Sequence, residues 1–456
     1  MASPTPTLTH LAAELAAGRT TSRALVSDCL TRIDSPVGEG ARAFIKVHAQ
    51  VALAQADLHD QMRRQGAAVS PYAGIPISIK DLFDIAGDTT TAGSAVLRGE
   101  PPATRDAPSV ARLRAAGFVV IGRTNMTEFA FSGLGLNPHY DTPRNPWDRA
   151  KGRIPGGSSS GAAVSVADGM AFGALGTDTG GSCRIPAAVC GIVGFKPTAS
   201  RVPLQGAYPL SSSLDSIGPL AASVNCCAIV DAVLSGSAPP APAAGGPLAG
   251  GLLAGSLRLG VLTNYVTDGI DAAVAANFEG AVRKLSNAGA RLTNVSLTEL
   301  SELPQINSKG GLPAAEAYAR HRARLATDAA RYDPRVASRI LRGREQDAAD
   351  YIEVHRRRAD FIERVSRRLE FFDAVLMPTV PILAPAIAEL TTDDAYIRTN
   401  ALMLRNPSIV NFLDGCAISI PCHEPGSAPV GLSLFGLRNT DHRLLAVAAA
   451  VEECLR

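Results

Sequence analysis

Two serines lie in glycine-rich backbone, Ser158 in GGSSSGAA and Ser182 in GTDTGGSCR, and Lys80 stands upstream in GIPISIKDLF. A serine hydroxyl near neutral pH is a weak nucleophile and needs an adjacent base. None of the three segments contains a histidine. A lysine can fill that role when burial or neighbouring cations make it neutral, so the residue types point to a Ser/Ser/Lys hydrolase. Moving a lysine pKa from about 10.4 toward about 7 takes roughly 4 to 5 kcal/mol of differential destabilisation of the ammonium. Burial beneath Ile75, Ile77 and Ile79 of the same apolar run is the expected source.

Each feature also has a structural explanation by itself. Gly180 and Gly181 allow a turn whose amides converge on one point, as in an anion cradle. Gly156, Gly157 and Ser158 read equally well as the entry to a closely packed helix, with Ser159 a structural neighbour. A lysine at a strand end usually reaches solvent. Asp178 and Arg184 flank Ser182 at distances that suit an ion pair across the turn, which assigns them a structural role. Cys183 reads as a small buried hydrophobe rather than a nucleophile. The phosphate-binding pattern GxxxxGK[ST] is absent from the Ser182 loop. His139 falls in a predicted loop, at the surface or against substrate, and the remaining histidines lack metal-ligand spacing, so neither metal nor cofactor is expected. Arg356, Arg357 and Arg358 read as a solvated helix face or a subunit contact.

The elements that must position these residues alternate. The strand GIPISI ends at Lys80, and helix, strand and helix follow in DAPSVARLRAAG, FVVIG and TNMTEFAF. The alternation returns in SGAAVSVADGM, FGALGT and IPAAVCG. This predicts an α/β fold with parallel strands, whose ligands gather beyond the strands' carboxyl ends, where Lys80 and the Ser182 loop both fall. Two amphipathic helices open the chain, and a polar helix runs from about Val51 to Arg64. From about Ala314 to Phe372 the chain is mostly helical and suits a cover over the site, before AVLMPT, AISIP and GLSLFG restore strands and HRLLAVAAAVEECL closes as a helix. One domain over 1–456 is expected: amino-terminal helices to residue 68, a core over 69–235, a Pro/Gly/Ala-rich linker at 237–256, and a carboxyl-terminal α/β part with a helical cap over 257–456.

The formal charge, 44 basic minus 42 acidic residues or +2, is scattered, which gives no footprint for nucleic acid or an anionic membrane. The longest uncharged stretch, 232–257, has the composition of a loop rather than a span. Eight cysteines without paired spacing in a chain this long, and a start without a secretory pattern, predict reduced thiols and a cytoplasmic location.

Taken together, PGGSSSGAAVSVADGMAFGALGTDTGGSCRIPAAVCGIVGFKPT and GIPISIKDLFDIAG resemble the signature and lysine segments of the amidase signature family of serine hydrolases. The resemblance extends through TNMTEFAF, NPWD, SLDSIGPLA, NFLDGCAISIP and PVGLSLFG, and therefore covers most of the chain from about residue 70. It implies an amidase signature fold, with a mixed, mostly parallel central sheet between helices. It also implies cleavage of a small-molecule amide through an acyl enzyme, with Ser182 as nucleophile, Ser158 as proton relay after a cis peptide, and Lys80 as base. Backbone amides of Thr179, Gly180 and Gly181 would form the oxyanion hole. Pocket walls are expected from 129–136 and 201–213, with Phe131, Leu134, Tyr208 and Arg201 as substrate contacts for an aryl, alkyl or urea-like amide. A homodimer is the implied assembly. Ser160, Ala162 and Cys183 depart from the family's commonest residues. A related reading is the glutaminase component of a tRNA-dependent amidotransferase, which usually has glutamine after the loop arginine; Ile185 stands there in this chain. A catalytically silent binding protein on the same fold is the alternative of another class.

Overall fold

The computed structural model describes residues 5–238 and 257–456; most of the predicted linker at 237–256 lies outside them. Eleven strands form one sheet: β1 (Phe44–Val47), β2 (Pro76–Lys80), β3 (Val119–Thr124), β4 (Gly173–Asp178), β5 (Val193–Lys196), β6 (Ser216–Ala221), β7 (Arg258–Leu262), β8 (Arg291–Val295), β9 (Ala374–Pro378), β10 (Cys416–Pro421) and β11 (Gly431–Gly436). Their order is β1-β3-β2-β4-β6-β5-β10-β11-β9-β7-β8, flanked by helices, so the α/β class and the mixed sheet are as expected.

The balance of directions differs from the expectation of a mostly parallel sheet. Parallel pairing is confined to the flanks, β3-β2-β4 and β9-β7-β8, while every pairing from β4 through β6, β5, β10 and β11 to β9 is antiparallel. β10 and β11 follow each other across a short loop, which leaves no room for the crossover that a parallel pair requires.

Strands β2 and β4 are buried along their whole length, which explains their unbroken apolar and small residues. Their parallel register, Ser78 opposite Ala174 and Ile79 opposite Leu175, carries both carboxyl ends to one edge. Lys80 and the Ser182 loop thereby meet although they are far apart in sequence. The Ser160–Ala167 helix begins just after Ser158 and packs on β2, β3 and β4. Gly161 is required there: a Cβ would sit 2.2 Å from the Ala43 carbonyl oxygen.

TNMTEFAF is not the helix that its pattern suggests. Only Glu128–Ala130 forms a short 3-10 turn, with Phe129 and Ala130 in left-handed backbone at φ 51° and 60°. The cause is polar: the buried Glu128 carboxylate accepts from Ser94 Oγ and from the Asp333 amide, and the chain bends to bring it there. The later helical region is Gly311–Asp328, Pro334–Leu341 and Ala348–Leu369, as read from the sequence. A further helix, Asp393–Phe412, carries Pro407 inside it. Apolar side chains form two clusters, a large one around β2–β6 and a smaller one that includes Leu214, Leu303, Phe361 and Phe412. No helix of the described residues is long and apolar enough to cross a membrane.

Candidate active site

Lys80 is fully buried at the end of β2, beneath Ile75, Ile77 and Ile79, which are equally inaccessible. Its Nζ lies 2.7 Å from Ser158 Oγ and 2.8 Å from Thr177 Oγ1. Burial pushes the ammonium down to about 8, while Cys183, Asp178 and Asp215 pull weakly the other way. The peptide bond between Gly157 and Ser158 is cis, as the family resemblance implies. Ser159 is buried beside it, and its hydroxyl donates to the Thr177 carbonyl at 3.4 Å.

The loop after β4 is built on one carboxylate. Asp178 accepts from the backbone amides of Gly181 (2.8 Å) and Cys183 (3.1 Å), and it pairs with Arg184 through Nε at 3.0 Å and Nη2 at 2.9 Å. Both side chains are wholly buried. Asn411 donates to the same carboxylate, and Arg184 also donates to the Pro407 carbonyl and to Asn411 Oδ1. Burial alone would raise the Asp178 carboxyl; the Arg184 guanidinium outweighs it and holds it well below the usual carboxylate range. The pair expected from sequence is present, and it spans the loop rather than decorating it.

That arrangement corrects one expected oxyanion donor. The Gly181 amide is occupied by Asp178, whereas the amides of Thr179, Gly180 and Ser182 make no hydrogen bond among the described residues. Gly181 itself has φ 129°, and a Cβ there would lie 2.6 Å from Pro407 Cβ, so glycine is required for the turn rather than for a donor. The Thr179 hydroxyl donates to Asp215, which also accepts from the amides of Leu210 and Ser211. Burial raises the Asp215 carboxyl to about 6 against these hydrogen bonds.

Ser182 opens into a cavity of about 300 Å³, lined also by Thr179, Gly180, Phe131, Leu210, Leu214, Leu404 and Phe412. Its walls come from both apolar clusters, so the cavity marks their junction. The helical region covers it through Pro313 and Arg339, and the segment just before that region adds Leu303 and Asn307. A second cavity of about 410 Å³ shares Ala130, Thr179 and Leu210 with it and reaches Thr177 and Asp215. A third cavity, of about 710 Å³, is lined by none of Lys80, Ser158 and Ser182.

Of the four expected substrate contacts, Phe131 lines the Ser182 cavity and Tyr208 lines the neighbouring one. The other two are corrected. Leu134 is buried in the large apolar cluster. Arg201 forms a two-point ion pair with Asp231, at 3.1 and 2.7 Å, and contacts His442. It is held there because Asp231 is almost completely buried and needs a counter-charge. His139 sits partly buried with Nε2 2.9 Å from Glu128 Oε1, outside the Ser182 cavity. Cys183 is fully buried, its Sγ near the Gly218 carbonyl, and burial pushes its thiol up. Arg358 does not face solvent with its neighbours: it donates to the carbonyls of Asn411 and Phe412 at the end of a helix.

The sequence reading missed Thr177, Asp215, Asn411 and Arg339. Thr177 alone carried a usable signal: it lies two residues before Thr179 on the strand that enters the loop, so it shares a face with it.

A buried lysine hydrogen-bonded to one serine at a strand edge, with a second serine in the neighbouring loop open to an apolar cavity, is an arrangement able to support serine-type hydrolysis. The family model described as Amidase matches residues 24–445. The chain is 38% identical over 401 residues to the 2-amino-5-chloromuconic acid deaminase of Comamonas testosteroni, covering 86% of this chain and 84% of that one. It is 36% identical to a glutamyl-tRNA(Gln) amidotransferase component from Chloroflexus aggregans, over 96% of this chain and 94% of the relative. Among solved structures it is similar to a protein of a vestigial complex bearing on the origins of an s-triazine catabolic enzyme, at TM-score 0.88 and 31% identity, with 98% of each chain covered. The protein therefore belongs to the amidase signature family and is an amide-hydrolysing enzyme.

Proposed function

We propose that the protein hydrolyses a small-molecule amide to a carboxylic acid and ammonia or an amine through an acyl-Ser182 intermediate. The observation that carries this reading is the 2.7 Å contact between the fully buried Lys80 Nζ and Ser158 Oγ. Neutral Lys80 accepts the Ser158 proton as Ser158 accepts that of Ser182, and the Ser182 oxygen attacks the carbonyl carbon. The developing oxyanion is met by the amides of Thr179, Gly180 and Ser182, while Asp178 and Arg184 hold the loop in shape. The proton returns through Ser158 to the leaving nitrogen, which departs with its bonding pair. Water, deprotonated along the same route, then releases the acid.

Neutral Lys80 has two N–H groups and one lone pair. The Thr177 hydroxyl accepts one N–H at 2.8 Å, which supports aiming the lone pair at Ser158.

We read the enzyme as free-standing and homodimeric. Ile185 is fully buried against Gly181, and so offers no side-chain amide at the position where the amidotransferase glutaminases usually have one. The eight unpaired cysteines support a reducing, cytoplasmic setting.

A fluorophosphonate probe followed by intact mass tests the chemistry. One adduct is expected on the native protein and none on Ser182→Ala; an unchanged adduct on the variant would refute the assignment. Stable copurification with two other proteins and tRNA-stimulated glutamine hydrolysis would favour the amidotransferase reading instead.

A further inference from the structure

Arg339 extends from the Pro334–Leu341 helix into the wall of the Ser182 cavity. Its guanidinium lies 4.7 Å from the centre of the Phe131 ring. Among the described residues it makes no hydrogen bond and no ion pair, and its Nε is buried without a partner. The charged group nearest to it in effect is Arg342, a like charge whose own Nη2 donates to the Ser308 carbonyl; Tyr396 is the other titratable neighbour. No aspartate or glutamate lines the cavity. Arg339 is half-buried; the fully buried arginines of the site region are paired, Arg184 with Asp178 and Arg123 with Asp81.

A guanidinium remains charged at any working pH, and holding it half-buried without a counter-charge is unfavourable. Stacking on Phe131 satisfies its face but leaves the N–H groups along its edge unused. A fork of that shape matches a carboxylate, which it can bind by two parallel hydrogen bonds.

Resting on the acyl-Ser182 reading, we infer that Arg339 anchors a carboxylate of the substrate, so that the preferred substrates are amides bearing a second, anionic group. For a primary amide the leaving group is ammonia, which places that carboxylate on the acyl chain. A cavity of about 300 Å³ is at the small end for ligand sites, and its apolar walls suit a short hydrocarbon chain between the two ends. Monoamides of four- to six-carbon dicarboxylic acids fit this description. Arg339 is then a specificity residue: it binds the far end of the substrate and takes no part in proton transfer.

The experiment compares succinamate, glutaramate and adipamate with neutral primary amides of the same chain length. For at least one pair, kcat/KM is expected to favour the anionic amide by about 10- to 100-fold, the range of a charge-assisted hydrogen-bonded pair. Arg339→Met is expected to collapse that ratio, chiefly through KM, and Arg339→Lys to restore part of it. In parallel, calorimetry on Ser182→Ala should detect binding of the preferred monoamide, weakened at least 10-fold in Ser182→Ala/Arg339→Met. A wild-type enzyme that prefers the neutral member of every pair, or an Arg339→Met variant that loses both members equally, overturns the inference. Absence of the fluorophosphonate adduct overturns the acyl-serine reading instead, and the calorimetric comparison then still decides on Arg339.

Discussion

The state of Lys80 makes a quantitative prediction. Only the neutral amine can accept a proton, and burial brings its pKa down from 10.5 to about 8. On that value roughly 90% of the lysine is neutral at pH 9, half at pH 8 and about 1% at pH 6. Lowering the pH from 9 to 6 should therefore reduce kcat/KM by about 100-fold with the slope of a single proton. The rate of fluorophosphonate labelling should follow the same curve without any choice of substrate. The shift also bears on stability. Between about 8 and 10.5 the unfolded chain holds a proton that the folded chain has lost, so stability rises with pH through this window. The penalty, about 3 kcal/mol, is fully present below pH 8. Lys80→Met removes it but leaves the hydroxyls of Ser158 and Thr177 without their partner, at about 1 kcal/mol each. The variant should thus be inert to the probe yet about 1 kcal/mol more stable at pH 7, read from its urea midpoint. Lys196, brought to about 8 by the same cause, donates to the carbonyls of Pro197 and Gly415 outside the site; Lys196→Met should keep the acid limb. A wild-type labelling rate that is flat from pH 6 to 9 would refute the reasoning.

Thr177→Val removes an acceptor that favours the ammonium, so the midpoint of the acid limb should move below 8 while the plateau rate falls; an upward shift contradicts the positioning argument. Asp178→Ala leaves Arg184 as an unpaired buried charge and frees the amides of Gly181 and Cys183. A loss of about 3 to 5 kcal/mol is expected in urea unfolding, with labelling abolished while the protein is still folded; a loss below about 1 kcal/mol would show that the pair does not hold the loop.

The chemistry was legible because it is local in sequence. Gly180, Gly181 and Ser182 form one short turn, and Lys80 ends one apolar strand, so residue types singled out the candidate groups and the family resemblance gave them their proposed roles. The reading failed where one position answers to a distant partner. TNMTEFAF has a helical pattern, but Glu128 must meet Ser94 and the Asp333 amide, and those contacts bend the chain. Asp393–Phe412 contains Pro407 and a polar pattern that conceals a helix, yet it supplies Leu404, Ser408, Asn411 and Phe412 to the cavity. Arg201 fell in a stretch expected to line the pocket and is drawn away by the buried Asp231.

The candidate reactive side chains, the α/β class that carries them, and the strand ends where they fall were all legible in the order of residues. Backbone permissiveness at glycine and apolar runs in strands are properties of neighbouring residues, and no knowledge of distant ones is needed to read them. Packing in three dimensions settled which groups are left with something to do. It occupied the Gly181 amide with Asp178, gave Thr177 to Lys80, and left Arg339, in the wall of the Ser182 cavity, without a partner among the described residues. Each of these is a matter of burial and partner, and burial depends on segments hundreds of residues apart packing together.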